Sequence, residues 1–423
     1  MKNVPLKYMS VISLGKMLQS TPARADQEVF PYLKASNLTE NGLDLSSLQQ
    51  MPFNRREQEI LQLQKDDVVV VEGGSIGRSA WISEDMAGVY FQNSINRVRP
   101  KIFADGRYLK YAIESRRASG FFEAITNQAT IRHLTADKLA NTPVPYLNQE
   151  RQRKIADYLD HETTEIDAFI AAHEQLQELT SLRLETTIEA AITLSSPDFL
   201  QLRRLKPLRQ SGTSVNAESR PAFSGELGVL KTGAASKGYF DPAENKAVTE
   251  DQEVARLSTP VVKDRVLVNR ANTPDLVGTA VYVPEDYPEL YLSDKLWIVD
   301  FDASNQFLAL ALSTRSYREQ VSQFVVGASS SMQNLSYGDF LSIRVPVPSV
   351  EQQNQVVVAL QSSIRATRAL GTEITTAIHL ARERRAALIT AAVTGQIDVT
   401  ARNKPAAEQL EDDIAQGLHR EYA

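Results

Sequence analysis

The chain contains no cysteine, which excludes disulfides, thiolate nucleophiles, iron–sulfur clusters and the common structural zinc sites. Its five histidines, His133, His161, His173, His379 and His419, form no metal-spaced pair, so no metal centre is expected. No apolar run approaches the roughly 20 residues that a membrane helix needs. The first residues, Met1 to Leu18, scatter Lys2, Lys7 and Lys16 through short apolar patches without a signal-peptide core. A soluble, cytoplasmic protein with no membrane partner is the expectation. Excess basic charge is lacking too. The 46 Lys+Arg against 52 Asp+Glu leave a formal net charge of −6, which as a whole-chain figure argues against a partner as acidic as DNA.

Catalytic signatures are also missing. The loop Gly73-Gly74-Ser75-Ile76-Gly77-Arg78 is glycine-rich, yet it lacks the order and spacing of a phosphate-cradling loop. No GxGxxG or HExxH pattern occurs. Pro274-Asp275 has no Glu-x-Lys following it at a usable distance, and Glu244-Asn245-Lys246 precedes it. A fused methyltransferase–nuclease, as an enzyme in its own right, is therefore disfavoured.

What is present is repetition. The length of 423 residues exceeds what one hydrophobic core organises. Residues 131–194 align without a gap on residues 332–395 at an offset of 201, with thirteen of 64 positions identical. Pro145/Pro346, Gln152/Gln353, Leu159/Leu360, Leu179/Leu380 and Ile188/Ile389 are among them. Upstream the match is looser: Lys65-Asp66-Asp67-Val68 resembles Lys263-Asp264-Arg265-Val266, and Ile76-Gly77 resembles Val277-Gly278.

The repeated segments read as helices. From Gln149 to Thr193 there is neither Gly nor Pro, and Ile155, Leu159, Ile166, Phe169, Leu176 and Leu179 recur at helical spacing. The second copy, Glu351 to Thr394, is interrupted only by Gly371. With Ile166 and Thr367 as heptad position a, Phe169/Leu370 and Leu176/Ala377 fall at d in both copies. The upstream segments mix strand-like runs (67–71, 80–82, 265–269, 296–301) with helical stretches at 107–117 and 306–323. The expected fold is α+β: two mixed α/β modules separated and followed by long helices that pack as an antiparallel coiled-coil rod, with an internal pseudo-two-fold repeat. The expected boundaries are 1–148, 149–200, 201–348 and 349–400, with a polar tail at 401–423.

These residues resemble the specificity (S) subunits of type I restriction–modification systems, over nearly all of the chain. In the first module Phe30-Pro31-Tyr32-Leu33-Lys34-Ala35-Ser36-Asn37-Leu38 and the course from Leu63 to Gly77 are similar to the family pattern. In the second, Arg270-Ala271-Asn272-Thr273 through Leu276-Val277-Gly278 looks like the family's recurring stretch. Both modules end in a proline-containing lead-in to a helix, Val144-Pro145 and Val345-Pro346. In the first, Tyr146-Leu147-Asn148 stands where a second Pro is common. The resemblance implies a non-catalytic reader of double-stranded DNA. Each module would be a target recognition domain for half of a bipartite sequence, and the rod would set the spacer. It further implies two methyltransferase (M) subunits and restriction (R) subunits as partners. No cofactor is expected on this chain; S-adenosylmethionine, ATP and Mg would belong to the partners. The alternative is a coiled-coil scaffold with two protein-binding modules.

Charge by segment qualifies the whole-chain figure. Residues 1–148 hold 18 basic and 15 acidic residues, net +3, whereas residues 149–200 hold 4 and 11, net −7. The second module and the distal segment are each net −1. An acidic helical segment suits protein partners better than DNA. The candidate DNA-binding residues of the first module are Lys34, Gly74, Ser75 and Arg78, together with Arg97, Arg99 and Lys101, which alternate along a strand and could turn one face to phosphates. Arg132 lies in a polar loop before the first long helix. In the second module they are Lys231, Arg270, Asn272 and Thr273, with Ser330 and Gln333 in the counterpart loop. Arg and Asn suit bidentate reading of guanine and adenine.

Overall fold

The computed structural model describes residues 2–40, 42–126, 132–329 and 332–399. It divides into two compact units, Met1–Glu174 with Thr375–Ala423, and Gln175–Ile374.

In the first unit the frame is an antiparallel sheet of β1 (Ser10–Leu14), β2 (Val68–Val71), β3 (Ser79–Trp81) and β4 (Ile95–Pro100), in the order β1-β4-β2-β3. All four residues of β2 are valine and all are buried. Such a run has no polar face because both sides of the strand are covered. Val68 and Val70 join one core with Tyr108, Ile113, Phe122 and Leu159. Val69 and Val71 join another with Tyr32, Phe53 and Phe91. A fully buried valine contributes about 1.5–3 kcal/mol of transfer free energy, so this strand anchors both cores. Just before it, Asp66 takes a left-handed conformation (φ 69°). The helix Gly106–Ala118 then covers the sheet, capped by the Asp105 side chain.

The long helix α1 (Gln149–Ser195) leaves the first frame. Its lead-in strand Pro143–Pro145 pairs with Asn3–Pro5. Gln152, fully buried, ties the helix down. Its Oε1 accepts from the Asp105 N–H (2.9 Å), and its Nε2 donates to the Leu147 carbonyl (2.8 Å).

The second unit repeats this frame. Its antiparallel sheet is β5 (Leu208–Ser211), β6 (Arg265–Asn269), β7 (Ala280–Val283) and β8 (Leu296–Asp300), ordered β5-β8-β6-β7. Val266 and Val268 face one core and Leu267 the other. Asp264 is left-handed (φ 53°) just before β6, as Asp66 is before β2. The helix α2 (Val350–Thr394) follows the strand Arg344–Pro346, which pairs with Phe199–Gln201. Gln353 repeats Gln152: its Oε1 accepts from Ser304 N–H and its Nε2 donates to the Pro348 carbonyl, each at 2.8 Å.

Within the first unit the two long helices run antiparallel. Arg385 pairs with Asp167 (2.8 Å) and Arg382 with Glu174 (2.8 Å), so one number falls as the other rises. The same core holds Ile155, Leu159, Ile389 and Val393. The expected heptad phase needs a correction. Ile166 and Ile170 are buried, whereas Phe169 is 43% and Leu176 44% exposed. On α2, Ile374 and Ile378 are inside. The inward residue after Ile166 is thus four positions on rather than three, which makes 166 and 367 the d position and 170 and 371 the a position. Both copies share this shift.

Among the described residues no group of three or more His, Cys, Asp or Glu could hold a metal ion, and no helix is long and apolar enough to cross a membrane.

Candidate nucleic-acid interface

The polar loops expected to matter converge in each module, and they do so in the same way. After β2 comes Glu72, whose N–H donates to the Ser94 carbonyl (2.9 Å) and whose carbonyl accepts from Leu134 N–H (2.7 Å). After β6 comes Arg270, whose N–H donates to the Lys295 carbonyl (3.0 Å) and whose carbonyl accepts from Leu335 N–H (2.9 Å). Leu134 and Leu335 are one of the identical repeat pairs. Each central strand therefore emerges between a tight turn and the segment that leads towards the long helix.

The loops beyond are fixed by a glycine that cannot be replaced cheaply. Gly77 (φ 75°) lies against the Phe122 ring, where a Cβ would sit 2.4 Å from Cδ2. Gly278 (φ 77°) lies against Val321, where a Cβ would sit 2.9 Å from Cγ1. Both need a left-handed conformation and a close approach at once.

In the first module Gly73 bridges to His133. The expected candidates Gly74, Ser75 and Arg132 thus border one region, with Gly74 and Ser75 exposed and Arg132 half-buried. Gly74 (φ 79°) has open space where a Cβ would stand. The neighbouring polar residues 127–131 lie outside the described residues. Lys34 is half-buried before the turn Ala35–Asn37.

In the second module Ala271–Asn272 pairs with Met332–Asn334, placing Asn272 opposite Gln333. Arg270, Asn272, Thr273 and Gln333 are therefore brought together. Ser330 lies outside the described residues. The Asn272 Oδ1 accepts from Thr273 N–H (2.8 Å). Its Nδ2 is buried and unpartnered, as are Arg270 Nε and, in the turn beside Arg270, Ser293 Oγ.

Five basic candidates are engaged inside the protein rather than free as the charge pattern suggested. Arg97, Arg99 and Lys101 do not form a basic face. β4 is an interior strand, paired with both β1 and β2. Arg97 is 4% exposed and donates to the carbonyls of Ile60 (2.7 Å) and Gln62 (3.2 Å). Burial, then the nearby Arg99 charge, lowers its pKa to about 10. Arg99 clamps both carboxylate oxygens of Asp67 at 2.7 Å, and Lys101 donates to the carbonyls of Lys7 and Tyr8. Their donors are committed to backbone and carboxylate partners brought in by long-range packing, which strand alternation does not reveal. Arg78 is engaged likewise, with the Leu38 carbonyl and Glu40. Burial raises the Glu40 pKa, but Arg117 and Arg78 outweigh it and hold the carboxyl below the ordinary range. Lys231, in the second module, pairs with Glu244 at 2.7 Å.

A cleft of about 1160 Å³ in the first unit is lined by Glu40, Arg78, Lys110, Glu114, Arg117 and Arg385, among others. The four cations share Glu40 and Glu114, and the whole lining holds five basic side chains against six acidic ones, so the cleft carries no excess of basic charge.

Sequence reasoning passed over Glu72, His133 and Arg209. Extending the match of Lys65–Val68 with Lys263–Val266 by a few residues would have put Glu72 opposite Arg270. Burial raises the Glu72 pKa above the usual carboxylate value, and the nearby His133 offsets only part of this. Arg209 lies 4.4 Å from the Tyr337 ring centre and 5.6 Å from that of Trp297. No sequence period signals such a stack.

With this geometry in hand, the comparisons are decisive for the first module. Residues 1–179 match the family described as type I restriction modification DNA specificity domain. The chain carries a type I DNA specificity domain. Such specificity subunits are non-catalytic, and the catalytic activities lie on other subunits of their complexes. The fold of the whole chain is similar to a chain from a structure on complex assembly and conformational transition of the type I R-M system. That likeness has a TM-score of 0.60 at 15% identity, over 93% of this chain and 97% of the other. An HsdS subunit from Thermoanaerobacter tengcongensis matches at TM-score 0.41 and 14% identity, over 94% and 97% of the two chains. A type I S subunit from M. genitalium gives 0.40 and 15%, over 93% and 96%. No curated protein matches the sequence. In this specificity domain Glu72 and the loop to Arg78 lie inside the matched segment.

Proposed function

We propose that the chain reads DNA sequence for a type I restriction–modification complex, each module reading one half of a bipartite target. The observation that carries this is the doubled clamp. Glu72 and Arg270 each emerge from a buried central strand and are held by the same pair of backbone bonds, beside exposed polar loops. Surfaces of this kind can combine phosphate contacts that position with side chains that specify. The chain itself performs no chemistry. Two methyltransferase subunits, using S-adenosylmethionine, and restriction subunits, using ATP and Mg, would supply it in the cytoplasm.

In this reading the module boundaries are 1–148 and 201–348, and the two long helices form an antiparallel rod that relates the modules by a pseudo-two-fold axis. The gapless repeat and the Arg385–Asp167 and Arg382–Glu174 pairs support that reading. Helices of 47 and 45 residues at about 1.5 Å per residue span roughly 70 Å, about two turns of duplex at ~34 Å per turn. The rod would set the spacer and present acidic residues 149–200 to the methyltransferase subunits. Deleting one heptad from each helix should change the spacer that the assembled complex selects and leave both half-sites intact. An unchanged spacer would refute the ruler. Sequence-independent binding of the assembled complex would favour a scaffold instead.

A further inference from the structure

The two clamps hold residues of opposite charge. Glu72 and Arg270 share the same backbone bonds, yet one is an acceptor and the other a donor. Neither group's capacity is used up inside the protein. Among the described residues the Glu72 carboxylate has no hydrogen-bond donor, although Glu72 is half-buried. The half-buried Arg270 guanidinium makes one bond, at 3.4 Å, to the Asp294 carbonyl, and its Nε has no partner. Its ring neighbour Trp297, 6.0 Å away, offers a face and no acceptor.

The flanks follow the same division. Beside Arg270, the Asn272 Oδ1 accepts from Thr273 N–H, and its Nδ2 is buried. Beside Glu72 the corresponding position is Gly74, which adds nothing but space. At this position the second module thus carries a donor, the half-buried Arg270 guanidinium, and the first an acceptor.

Resting on the DNA-reading function proposed above, we infer that the residue following the central strand sets the kind of base edge each half-site must present. Arg270 selects an edge of acceptors, as guanine offers with O6 and N7. Glu72 selects an exocyclic amino group, as cytosine N4 or adenine N6 offers. A carboxylate on a surface facing duplex DNA is repelled by phosphate, so its use lies with the bases. An arginine could serve either, and the test separates the two.

The full chain, assembled with its methyltransferase subunits, is used to select from a random 40-base-pair duplex library, and the bound fraction is sequenced. Glu72→Gln is isosteric and Arg270→Lys keeps the charge, so both preserve the fold as closely as a substitution can; equal melting temperatures check this. Glu72→Gln should reduce the preference for an amino-bearing base roughly ten-fold at one position of one half-site. Arg270→Lys should do the same for guanine in the other half-site. Weakening that is uniform across sequences marks a phosphate or framework role and overturns the inference, as does an effect of both variants on the same half-site. If the unaltered complex selects no two-part sequence, the DNA-reading function fails first, and the inference falls with it.

Discussion

The two modules share a frame and differ in charge, and the differences fall at matching positions. Asp67, just before β2, forms an ion pair with Arg99 of β4 in the first module. In the second, Arg265 and Asp300 form it across β6 and β8 with the signs exchanged. Glu72 against Arg270 is a second inversion, five residues further along in both modules. The first is compensated within the sheet; among the described residues the second has no salt-bridge partner, His133 answering Glu72 only in part. A compensated inversion leaves the frame unchanged; an uncompensated one changes what the module shows to a ligand. Function and framework can thus be told apart by whether the charge is answered inside the protein.

The comparison can be broken in stability measurements. The largest effect is expected at the first ion pair. Asp67 has no exposed side-chain surface, whereas Arg265 and Asp300 are each about a third exposed. Arg99→Ala strands a buried carboxylate and should cost about 3–5 kcal/mol. Asp300→Ala removes a solvated partner and should cost under about 1 kcal/mol. Urea unfolding midpoints compare them directly, and equal losses would undo the distinction between the pairs.

The glycines come next. Gly77→Ala should cost about 3 kcal/mol, because a left-handed residue costs about 1–2 and the contact with Phe122 adds to it. Gly278→Ala, with a looser contact at Val321, should cost about 2 kcal/mol. Gly74→Ala meets nothing and should cost about 1 kcal/mol. A reversed order would show that the loops are not seated as described.

Gln152→Leu and Gln353→Leu should each cost about 2 kcal/mol, by leaving buried backbone groups unpaired. Here the expectation is equality, since both glutamines do the same work. A two-fold disparity would mean that one helix is anchored elsewhere.

The smallest effect is one of pH. Arg220 first, and then the Phe223 N–H, hold the Glu226 pKa at about 2. A lowered carboxylate pKa means that the unfolded chain binds more protons between the two values. The pair therefore helps fully above the ordinary carboxylate pKa of 4.5, and its help fades as pH falls towards 2. The Glu226 carboxyl signal in NMR should titrate near pH 2, and near the ordinary value in Arg220→Ala. The first module has no matching pair among its described residues.

Much of the frame was legible in the sequence because its determinants are local or duplicated. The long helices show in the absence of Gly and Pro and in the 3–4 apolar spacing. Gln152 and Gln353 show as an identity across the repeat. The heptad phase was not legible, since Phe169 and Ile170 are adjacent and both apolar, and only packing decides which one is inside. Nor was the burial of Arg97. Alternating arginines read as an exposed strand until the carbonyls of Ile60 and Gln62, 37 and 35 residues away, are brought beside them. The candidate loops of the second module were found because Arg270–Thr273 is a recognisable stretch. Glu72 was missed because an acidic residue does not look like a DNA contact until its structural twin is an arginine.

The central claim is that each module reads one half-site by itself. It is tested most directly by replacing residues 201–348 with the corresponding module of another type I specificity subunit and sequencing what the assembled complex selects. The account predicts that one half-site changes to the donor's while the other half-site and the spacer stay as they were. A change in both half-sites would contradict it.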